Sequence, residues 1–529
     1  MKHKNPSNPF RLIRGVLFTL TWLFVAPAIS CATLSNVADH AAPHKLFRLT
    51  MSAENLPVVK EPVKLLTIEQ MEEIRTLFKN ERFGALSVMM DKYQSASEAD
   101  PADEFLISAF LDVFGAPSRD YERLLLKWKE TFPYNYQPYL ALAQYYYSQG
   151  WENRGSQFAT ETTTEQFQKM EDSFQKAEEN LEKALKMKPK LMPAYCMFIS
   201  MYNAARPEQE ENVFIERALE LFPHSFLVWS RCIVAKKPRW GGSYDQMQAI
   251  AKAAEQFNKA NPNLTKLYGF IYADQAWYLK RAKQYSKAIG LLREALAFGE
   301  RSSLHQEIAK IYYYNLEDYP RALEECNEAI RLGPGAEYYL LRSKIYYKLE
   351  NYEKSLSDLE TANRVNPFYD EVRKWVKWAG RDLMLQGHKK YKAHHVRAAI
   401  GLFNLSLKYN DQDPETYHWR GKAFFDKGDA GSALKDFERA LALNPRDFYS
   451  VSMIDYIANS EGQFDFSIGY WSRFLKLEPN HSGGYLNRAR VYYYKGDFVS
   501  CLQDLNQGCR LGNQEACSRI NNIKTRGKF

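Results

Sequence analysis

The sequence predicts an all-α protein built from stacked helix-turn-helix repeats, and three observations support that fold class. Apolar residues recur at i, i+3, i+4 and i+7 through most of the 529 residues, whereas period-2 alternation is rare. A content of 45% hydrophobic and 14% aromatic residues is enough to bury several cores. Finally, the stretch 343–367 nearly copies the stretch 309–334, which begins 34 residues earlier.

The first 30 residues are predicted to be a signal peptide. An apolar run from Gly15 to Val25 is too short to span a bilayer as a helix, and small residues suited to cleavage follow it. The charged residues before the run are Lys2, Lys4, Arg11 and Arg14. Removing these four basic residues lowers the formal net charge from +8 to +4, which does not indicate nucleic acid binding. A retained N-terminal anchor is the alternative, although no stop-transfer pattern follows.

Cys31 follows Ala28, Ile29 and Ser30, and this short stretch resembles the lipoprotein box of bacteria. The resemblance implies that Cys31 is lipidated and becomes the mature N-terminus. The first position of the box is Ala rather than the usual Leu, so ordinary cleavage after Ala28 or Ser30 remains an alternative. Residues 31–62 have little periodicity and several turn-forming residues, and we expect an irregular linker or tether there.

A repeat register can be followed from the alanine that lies five residues before a closing proline. Position 440 recurs upstream and downstream in steps of 33 or 34 residues, with looser steps near 218–295 and 362–406. The nine equivalent residues are Ala184, Ala218, Ala295, Ala329, Ala362, Ser406, Ala440, Phe474 and Gly508. Self-similarity at a fixed period of this size is typical of solenoid proteins.

The clearest window, Tyr417 to Pro445, has an aromatic, a small and an aromatic residue on one helix, then Ala, Phe, Ala and Pro on a second. Those residues are Tyr417, Gly421, Phe424, Ala433, Phe437, Ala440 and Pro445. This order resembles the tetratricopeptide repeat, in which Arg420 would usually be Leu. We expect the small residues to let the two helices approach, Phe424 and Phe437 to fill the gap, and the proline to end the second helix.

The resemblance implies a right-handed α-solenoid, because each helix pair needs its neighbours to bury its apolar face. It is specific for a repeat domain over 267–522, followed by a polar tail at 523–529. In tetratricopeptide proteins the concave inner surface binds extended peptides, so the resemblance implies protein or peptide partners here. A surplus between Pro367 and Ala399 predicts either a longer helix pair or a loop.

A ladder of cationic and aromatic residues recurs on the predicted first helices. Its members are Lys310, Tyr313, Lys344, Tyr347, Lys422, Phe425, Arg490 and Tyr493. The residue before each aromatic member, namely Tyr312, Tyr346, Phe424 or Tyr492, should face the core, and one further residue turns the helix by about 100°. The ladder is therefore a candidate peptide groove, suited to acidic segments or a C-terminal carboxylate. The alternative is an ordinary solvated helix face.

The N-terminal half, 63–266, is predicted to be a helical domain with divergent repeat-like pairs. Its motifs at 150–155 and 237–247 resemble an uncharacterised bacterial family, domain of unknown function 4034, over about 69–256. Ser243 and Gln246 form a predicted capping box that starts a helix. The motif residues Trp151, Arg154, Arg239 and Trp240 could form a packed cluster or an exposed recognition patch, and we favour packing.

No catalytic, cofactor or metal motif is found in the sequence. It contains no Gly-rich phosphate loop, Gly-x-Ser-x-Gly or His-Glu-x-x-His, and the carboxylates of 171–184 alternate with lysines as on a solvated face. His388, His394 and His395 lack acidic or cysteine partners at ligand spacing. We therefore expect a protein without enzymatic activity.

Cys509 and Cys517 bracket a Gly-Asn turn near the end of the chain. Their spacing resembles the helix-linking cysteines of secreted Sel1-like repeats, which implies a disulfide that an exported protein could form. The remaining cysteines after residue 31 are Cys196, Cys232, Cys326 and Cys501, which lie mostly on apolar helix faces and are predicted to be core residues.

Together these observations predict an exported, non-catalytic scaffold of the periplasm or outer membrane of a Gram-negative bacterium. Its partners would be proteins or peptides, not nucleic acid, and a lipidated Cys31 would tether it to the membrane. Two alternatives are kept. The N-terminal half could be a hydrolase-like enzyme that the repeats dock to its substrate, or the repeats could bind glycans or cell wall through exposed aromatic rings.

Overall fold

The computed structural model describes residues 63–155, 161–205 and 208–526, and over these ranges the chain is helical without a β-strand. The all-α prediction is thereby confirmed. The signal peptide, Cys31 and the tether fall at 1–62, outside the described residues. None of the helices in the described ranges is long and apolar enough to cross a membrane.

The N-terminal half begins with ten α-helices. They are α1 (Ile68–Lys79), α2 (Phe83–Ala99), α3 (Glu104–Asp112), α4 (Arg119–Thr131), α5 (Tyr136–Arg154), α6 (Thr164–Met187), α7 (Met192–Ala205), α8 (Glu208–Leu221), α9 (Phe226–Ala235) and α10 (Tyr244–Ala254). The predicted capping box is confirmed at the start of α10, where the Ser243 side chain accepts from the Gln246 backbone N–H at 3.2 Å.

The C-terminal half continues with fifteen helices within the described part of the chain. They are α11 (Gly269–Arg281), α12 (Tyr285–Ala297), α13 (Ser302–Ile311), α14 (Tyr319–Leu332), α15 (Ala336–Lys348), α16 (Tyr352–Val365), α17 (Asp370–Lys392), α18 (Val396–Tyr409), α19 (Pro414–Asp426), α20 (Ala430–Leu443), α21 (Phe448–Ser460), α22 (Phe464–Leu477), α23 (Ser482–Lys495), α24 (Phe498–Arg510) and α25 (Gln514–Arg526). The surplus after Pro367 is a longer helix, α17.

The pair α19 and α20 packs as its sequence predicts. A methyl group placed on Gly421 would come within 2.9 Å of the Phe437 ring, so only glycine permits this approach without a shift. Ala433 and Phe437 are fully buried, and α20 ends two residues before Pro445. Phe424 is only half-buried, although it packs against the cores on both sides of it.

The N-terminal half folds back onto the repeats through α1. Arg75 donates from Nη1 to the carbonyl oxygen of Val365 at 3.0 Å and from Nη2 to that of Arg364, at the end of α16. The guanidinium of Arg364 in turn pairs with Glu72 at 2.9 Å. This contact, which we call the α1 clasp, joins segments 290 positions apart in the sequence.

Candidate partner-binding surface

The ladder cations lie on the first helices of four repeat pairs, α13, α15, α19 and α23. A step of 34 residues from Lys344 and from Lys422 reaches Trp378 on α17 and Tyr456 on α21. The side chains of Trp378 and Tyr456 are 47% and 62% exposed. We call Lys344, Trp378, Lys422 and Tyr456 the exposed stripe, in which cationic and aromatic residues alternate along the first helices.

Aromatic rings support both lysines of the exposed stripe. The Lys344 ammonium lies 5.2 Å from the centre of the Trp375 ring and donates to Tyr314 Oη at 3.2 Å. The Lys422 ammonium lies 5.0 Å from the centre of the Trp419 ring. Neither lysine has a carboxylate within ion-pair distance in the described residues, so their charge is available to an acidic ligand.

The other two ladder cations are occupied within the protein. Lys310 pairs with Glu307 at 2.9 Å, and Arg490 pairs with the buried carboxylate of Asp455 at 2.6 Å. The four cations are therefore not equivalent, and Arg490 also has a structural role. Its removal would leave a buried carboxylate without its cation.

The ladder aromatics differ more strongly from the expectation. Tyr313 and Tyr347 are buried, at 8% and 5% exposure, so these two do not present an open face. The next pair covers Tyr347, because its ring contacts Trp375 and its hydroxyl donates to Asp382 at 2.7 Å. Burial raises the pKa of Tyr347 well above its ordinary value.

Phe425 and Tyr493 are half-buried and contact other aromatic rings. The ring centres of Phe425 and Tyr456 are 5.5 Å apart, and those of Tyr493 and Phe498 are 5.6 Å apart. Of the residues that were expected to face the core, Tyr312 is buried, whereas Tyr346, Phe424 and Tyr492 are half-buried. The simple division into a core aromatic and a groove aromatic is thus wrong, since Tyr313 and Tyr347 are buried whereas Tyr346, Phe424 and Tyr492 are only half-buried.

Three arginines of the repeats form a set of stitches that the sequence analysis missed. Each donates two hydrogen bonds of 2.7–2.8 Å to an aspartate 16 residues later on the second helix. The pairs are Arg342 with Asp358, Arg420 with Asp436, and Arg488 with Asp504. Arg420, which looked like a departure from the repeat pattern, is therefore structural. The constant spacing of 16 residues between each arginine and its aspartate is the sequence pattern that could have predicted these pairs.

Each stitch also reaches back to the preceding repeat. Nη1 of the three arginines donates to Asn327, Asn404 and Ser472, on α14, α18 and α22, at 2.8–2.9 Å. One guanidinium thus holds three helices, namely both helices of its own pair and the second helix of the pair before. Such a bidentate pair fixes geometry as well as adding energy.

The motif residues of the N-terminal half contact three different aromatic rings. Arg154 is buried and lies 5.2 Å from the Trp240 ring, while Trp151 packs on Phe174 at 5.6 Å. Burial, together with the nearby charge of Arg239, lowers the pKa of Arg154. Arg239 itself is exposed and lies near Trp277, 5.3 Å from that ring.

The cysteines are arranged in two ways. Cys509 and Cys517 form a disulfide between α24 and α25, with Cα atoms 4.8 Å apart. Cys196, Cys232, Cys326 and Cys501 are buried. Burial raises the pKa of Cys196 and of Cys326 to about 12, so these thiols stay protonated and unreactive at neutral pH.

No cluster of residues in the described ranges could hold a metal ion. His388 instead packs against Trp419 in a tilted arrangement, with ring centres 4.0 Å apart, and burial lowers its pKa. The ring therefore belongs to the aromatic support beneath Lys422.

Comparison with known proteins identifies the repeats. The family model of the tetratricopeptide repeat matches residues 336–369, which hold α15 and α16, and residues 414–447, which hold α19 and α20. The chain thus carries tetratricopeptide repeats, which are protein-interaction modules, and this part of the prediction is confirmed.

Two curated proteins share part of the sequence. Human tetratricopeptide repeat protein 6 is 24% identical over 131 residues, which make up 23% of this chain and 25% of that protein. Superkiller protein 3 of Schizosaccharomyces pombe is 23% identical over 146 residues, which make up 24% of this chain and 10% of that protein. The matched region spans at most a quarter of the length of these relatives.

Solved structures of similar proteins include MamA and YrrB. The match to the MamA structure covers 34% of this chain and 94% of the MamA chain, with 15% identity and a TM-score of 0.24. YrrB, described as a TPR protein with an unusual peptide-binding site, covers 37% of this chain and 97% of its own, with 18% identity and a TM-score of 0.24.

Proposed function

We propose that the protein is an exported, non-catalytic scaffold of the bacterial cell envelope that binds extended acidic peptide segments along the exposed stripe. The observation that carries the proposal is the alternation of Lys344, Trp378, Lys422 and Tyr456 on successive first helices. Lysines without carboxylate partners attract acidic side chains, and the exposed rings supply apolar contact area at low conformational cost.

Fluorescence anisotropy with labelled eight-residue peptides tests this function. We expect acidic peptides to bind better than neutral or basic ones of the same hydrophobicity, and their affinity to fall as salt screens the exposed lysines. The double variant Lys344→Gln and Lys422→Gln should bind at least about tenfold more weakly, which corresponds to about 1.4 kcal/mol.

The matched control is Lys354→Gln together with Lys435→Gln. These exposed lysines lie on the second helices of the same two pairs, so the net charge changes equally while the exposed stripe is untouched. Equal weakening in both double variants would mean that only the overall charge matters. Unchanged binding in the stripe variant would show that the lysines are an ordinary solvated face.

Export belongs to the same proposal and rests on the N-terminal sequence. Mass spectrometry of the mature N-terminus from fractionated cells should show cleavage near residue 30, with diacylglycerol if Cys31 is lipidated. Recovery of intact Met1 in the cytoplasm would contradict export. We also propose, on the motif resemblances alone, that 69–256 is the uncharacterised 4034 domain and that the last helices are Sel1-like.

A glycan-binding role is the second candidate, because the faces of Trp378 and Tyr456 are exposed. Soluble peptidoglycan fragments should then compete with the acidic peptides, and Trp378→Ala should remove their binding while the Lys344 and Lys422 variant keeps it. Peptide binding without such competition assigns the exposed stripe to peptides.

A further inference from the structure

A cavity of about 500 Å³ lies between the N-terminal half and the first repeats. Its walls come from α3, α9, the turn at Lys237 to Arg239, and α11 to α14. This volume falls within the range that small-molecule sites occupy. The exposed stripe contributes no residue to it, so ligand binding in this cavity does not depend on the proposed peptide binding.

The charge in this cavity is strongly one-sided. Six basic and three acidic side chains line it. The basic residues are Lys237, Arg239, Lys266, Lys280, Arg301 and Arg331, and the acidic residues are Asp274, Glu300 and Glu307. Lys280 pairs with Glu307 at 2.7 Å and Arg331 with Glu300 at 2.6 Å, which neutralises two of the cations.

Asp274 is the remaining acid, and it faces two cations without a close contact to either. Its carboxylate lies 3.6 Å from the Lys237 ammonium and 3.8 Å from the Arg239 guanidinium. The Tyr244 hydroxyl donates to its other oxygen at 3.2 Å. A single buried carboxylate therefore balances the charge of two cations only in part.

Lys266 and Arg301 are the two remaining basic residues of the cavity. Neither has a carboxylate within ion-pair distance among the residues that the structure describes, although Lys266 is buried. Nε of Arg301 is buried and has no hydrogen-bond acceptor in the described part of the chain, while the guanidinium lies 4.0 Å from the centre of the Phe270 ring. A buried cation without an anion is costly unless a ligand supplies one.

The first turn of α13 adds to this positive field. Arg301 is its N-cap residue, and Ser302 and Ser303 of its first turn also line the cavity. The free N–H groups at a helix N-terminus favour an anion. Burial lowers the pKa of Lys237 and of Lys266 to about 8, and the positive charge of Arg301 acts in the same direction on both.

The other walls are apolar. They include Phe226, Phe270, Trp277, Leu292 and Leu304. An inorganic ion would leave these surfaces without contact, whereas an anion attached to an aliphatic or aromatic body would cover them.

We propose that this cavity binds an organic carboxylate, with the anionic group between Lys266, Arg301 and the N-terminus of α13 and its apolar body against Phe270 and Trp277. The carboxylate can come from a free small acid or from the C-terminal residue of a peptide. Both sources present the same chemistry to the site.

Isothermal titration calorimetry on the purified protein tests the proposal with four probes. They are 3-phenylpropanoate, N-acetyl-phenylalanine, N-acetyl-phenylalanine amide and inorganic phosphate. We expect at least one of the two carboxylates to bind and the amide to bind at least about tenfold more weakly. Preference for 3-phenylpropanoate indicates a free acid, and preference for N-acetyl-phenylalanine indicates a peptide C-terminus.

The test variant is Lys266→Gln with Arg301→Gln, and the control is Arg331→Gln. The test variant should keep its thermal stability, because it removes unpaired buried charge, and lose at least about tenfold in affinity. The control removes a cavity cation that is already paired and should bind normally.

Three results would overturn the proposal. They are no carboxylate binding at about 10 mM, equal binding of acid and amide, and unchanged affinity in the test variant. Phosphate binding as tight as the carboxylates would refute the role of the apolar walls. If the test variant unfolds, Phe270→Leu supplies the second measurement, since it should weaken 3-phenylpropanoate binding and leave any phosphate binding unchanged.

Discussion

Replacing Arg420 by leucine, the residue usual in the tetratricopeptide pattern, should destabilise the protein. The substitution removes both hydrogen bonds to Asp436 and the bond to Asn404 across the repeat boundary. It leaves the Asp436 carboxylate, which is 7% exposed, without its cation. Loss of one partner of a buried ion pair costs about 3–5 kcal/mol of unfolding free energy. Because Arg420 is itself partly exposed, we expect a loss of about 3 kcal/mol.

A double-mutant cycle separates the pair from its desolvation cost. Arg420→Leu with Asp436→Leu should recover to within about 1 kcal/mol of the wild type, because well-packed apolar residues often replace a buried pair without loss. The coupling energy between the two positions should then be at least about 2 kcal/mol, and larger by whatever Asp436→Leu costs alone. Arg439→Leu on α20 is the matched control, since Arg439 is exposed and has no ion pair among the described residues.

Urea unfolding followed by circular dichroism, with hydrogen exchange of the α19 and α20 amides, provides the measurement. The exchange data are needed because a chain of repeats need not unfold in one step. An Arg420→Leu protein as stable as the Arg439→Leu control would refute the stitch. A double variant as unstable as the sum of the singles would refute the role of the unpaired carboxylate.

Three further predictions concern single elements. Burial raises the pKa of Glu104 from 4.5 to about 7, so the stabilisation from its protonated form is complete below pH 4.5 and is lost as the pH rises through 7. The free energy of unfolding should therefore fall between pH 4.5 and pH 8, and Glu104→Gln should remove up to about 3 kcal/mol of that fall. Urea titrations at the two pH values measure it, and an unchanged fall in the variant would contradict the prediction. Replacing Cys509 and Cys517 by serine should cost about 2–3 kcal/mol in local stability by hydrogen exchange, and free thiols in the native protein on non-reducing mass spectrometry would remove the bond. Gly421→Ala should cost about 1–3 kcal/mol by urea unfolding, whereas Gly431→Ala, where a methyl group meets nothing within 4 Å, should be neutral or stabilising; equal effects would show that close packing does not explain the first glycine.

The local architecture was predictable because helix periodicity and the 34-residue step depend only on neighbouring residues. Gly421, Ala433 and Phe437 lie where the pattern puts them. Side-chain exposure was less predictable, since the pair that comes next in the chain decides it. Tyr347 became buried because Trp375 lies beside it.

Residues outside the repeat motif were also missed. Trp378 and Tyr456 lie in helices that resemble the tetratricopeptide pattern weakly, so only a strict step of 34 would have found them. Contacts between distant segments, such as Arg75 with Val365, leave no periodic signal in one sequence. The cavity cations come from separate elements and could not be grouped without the fold.

The α1 clasp imposes an order on how the chain becomes native. Tetratricopeptide pairs can assemble one after another along the chain, because their contacts are local. The carbonyl oxygen of Val365 that accepts from Arg75, however, lies 290 residues further along the chain. Closing so long a loop adds only a logarithmic entropy penalty, but the search for the partner is slow. The α1 clasp is therefore expected to close only after α16 has formed, although Ile74 and Phe78 of α1 already pack into the core of the N-terminal half.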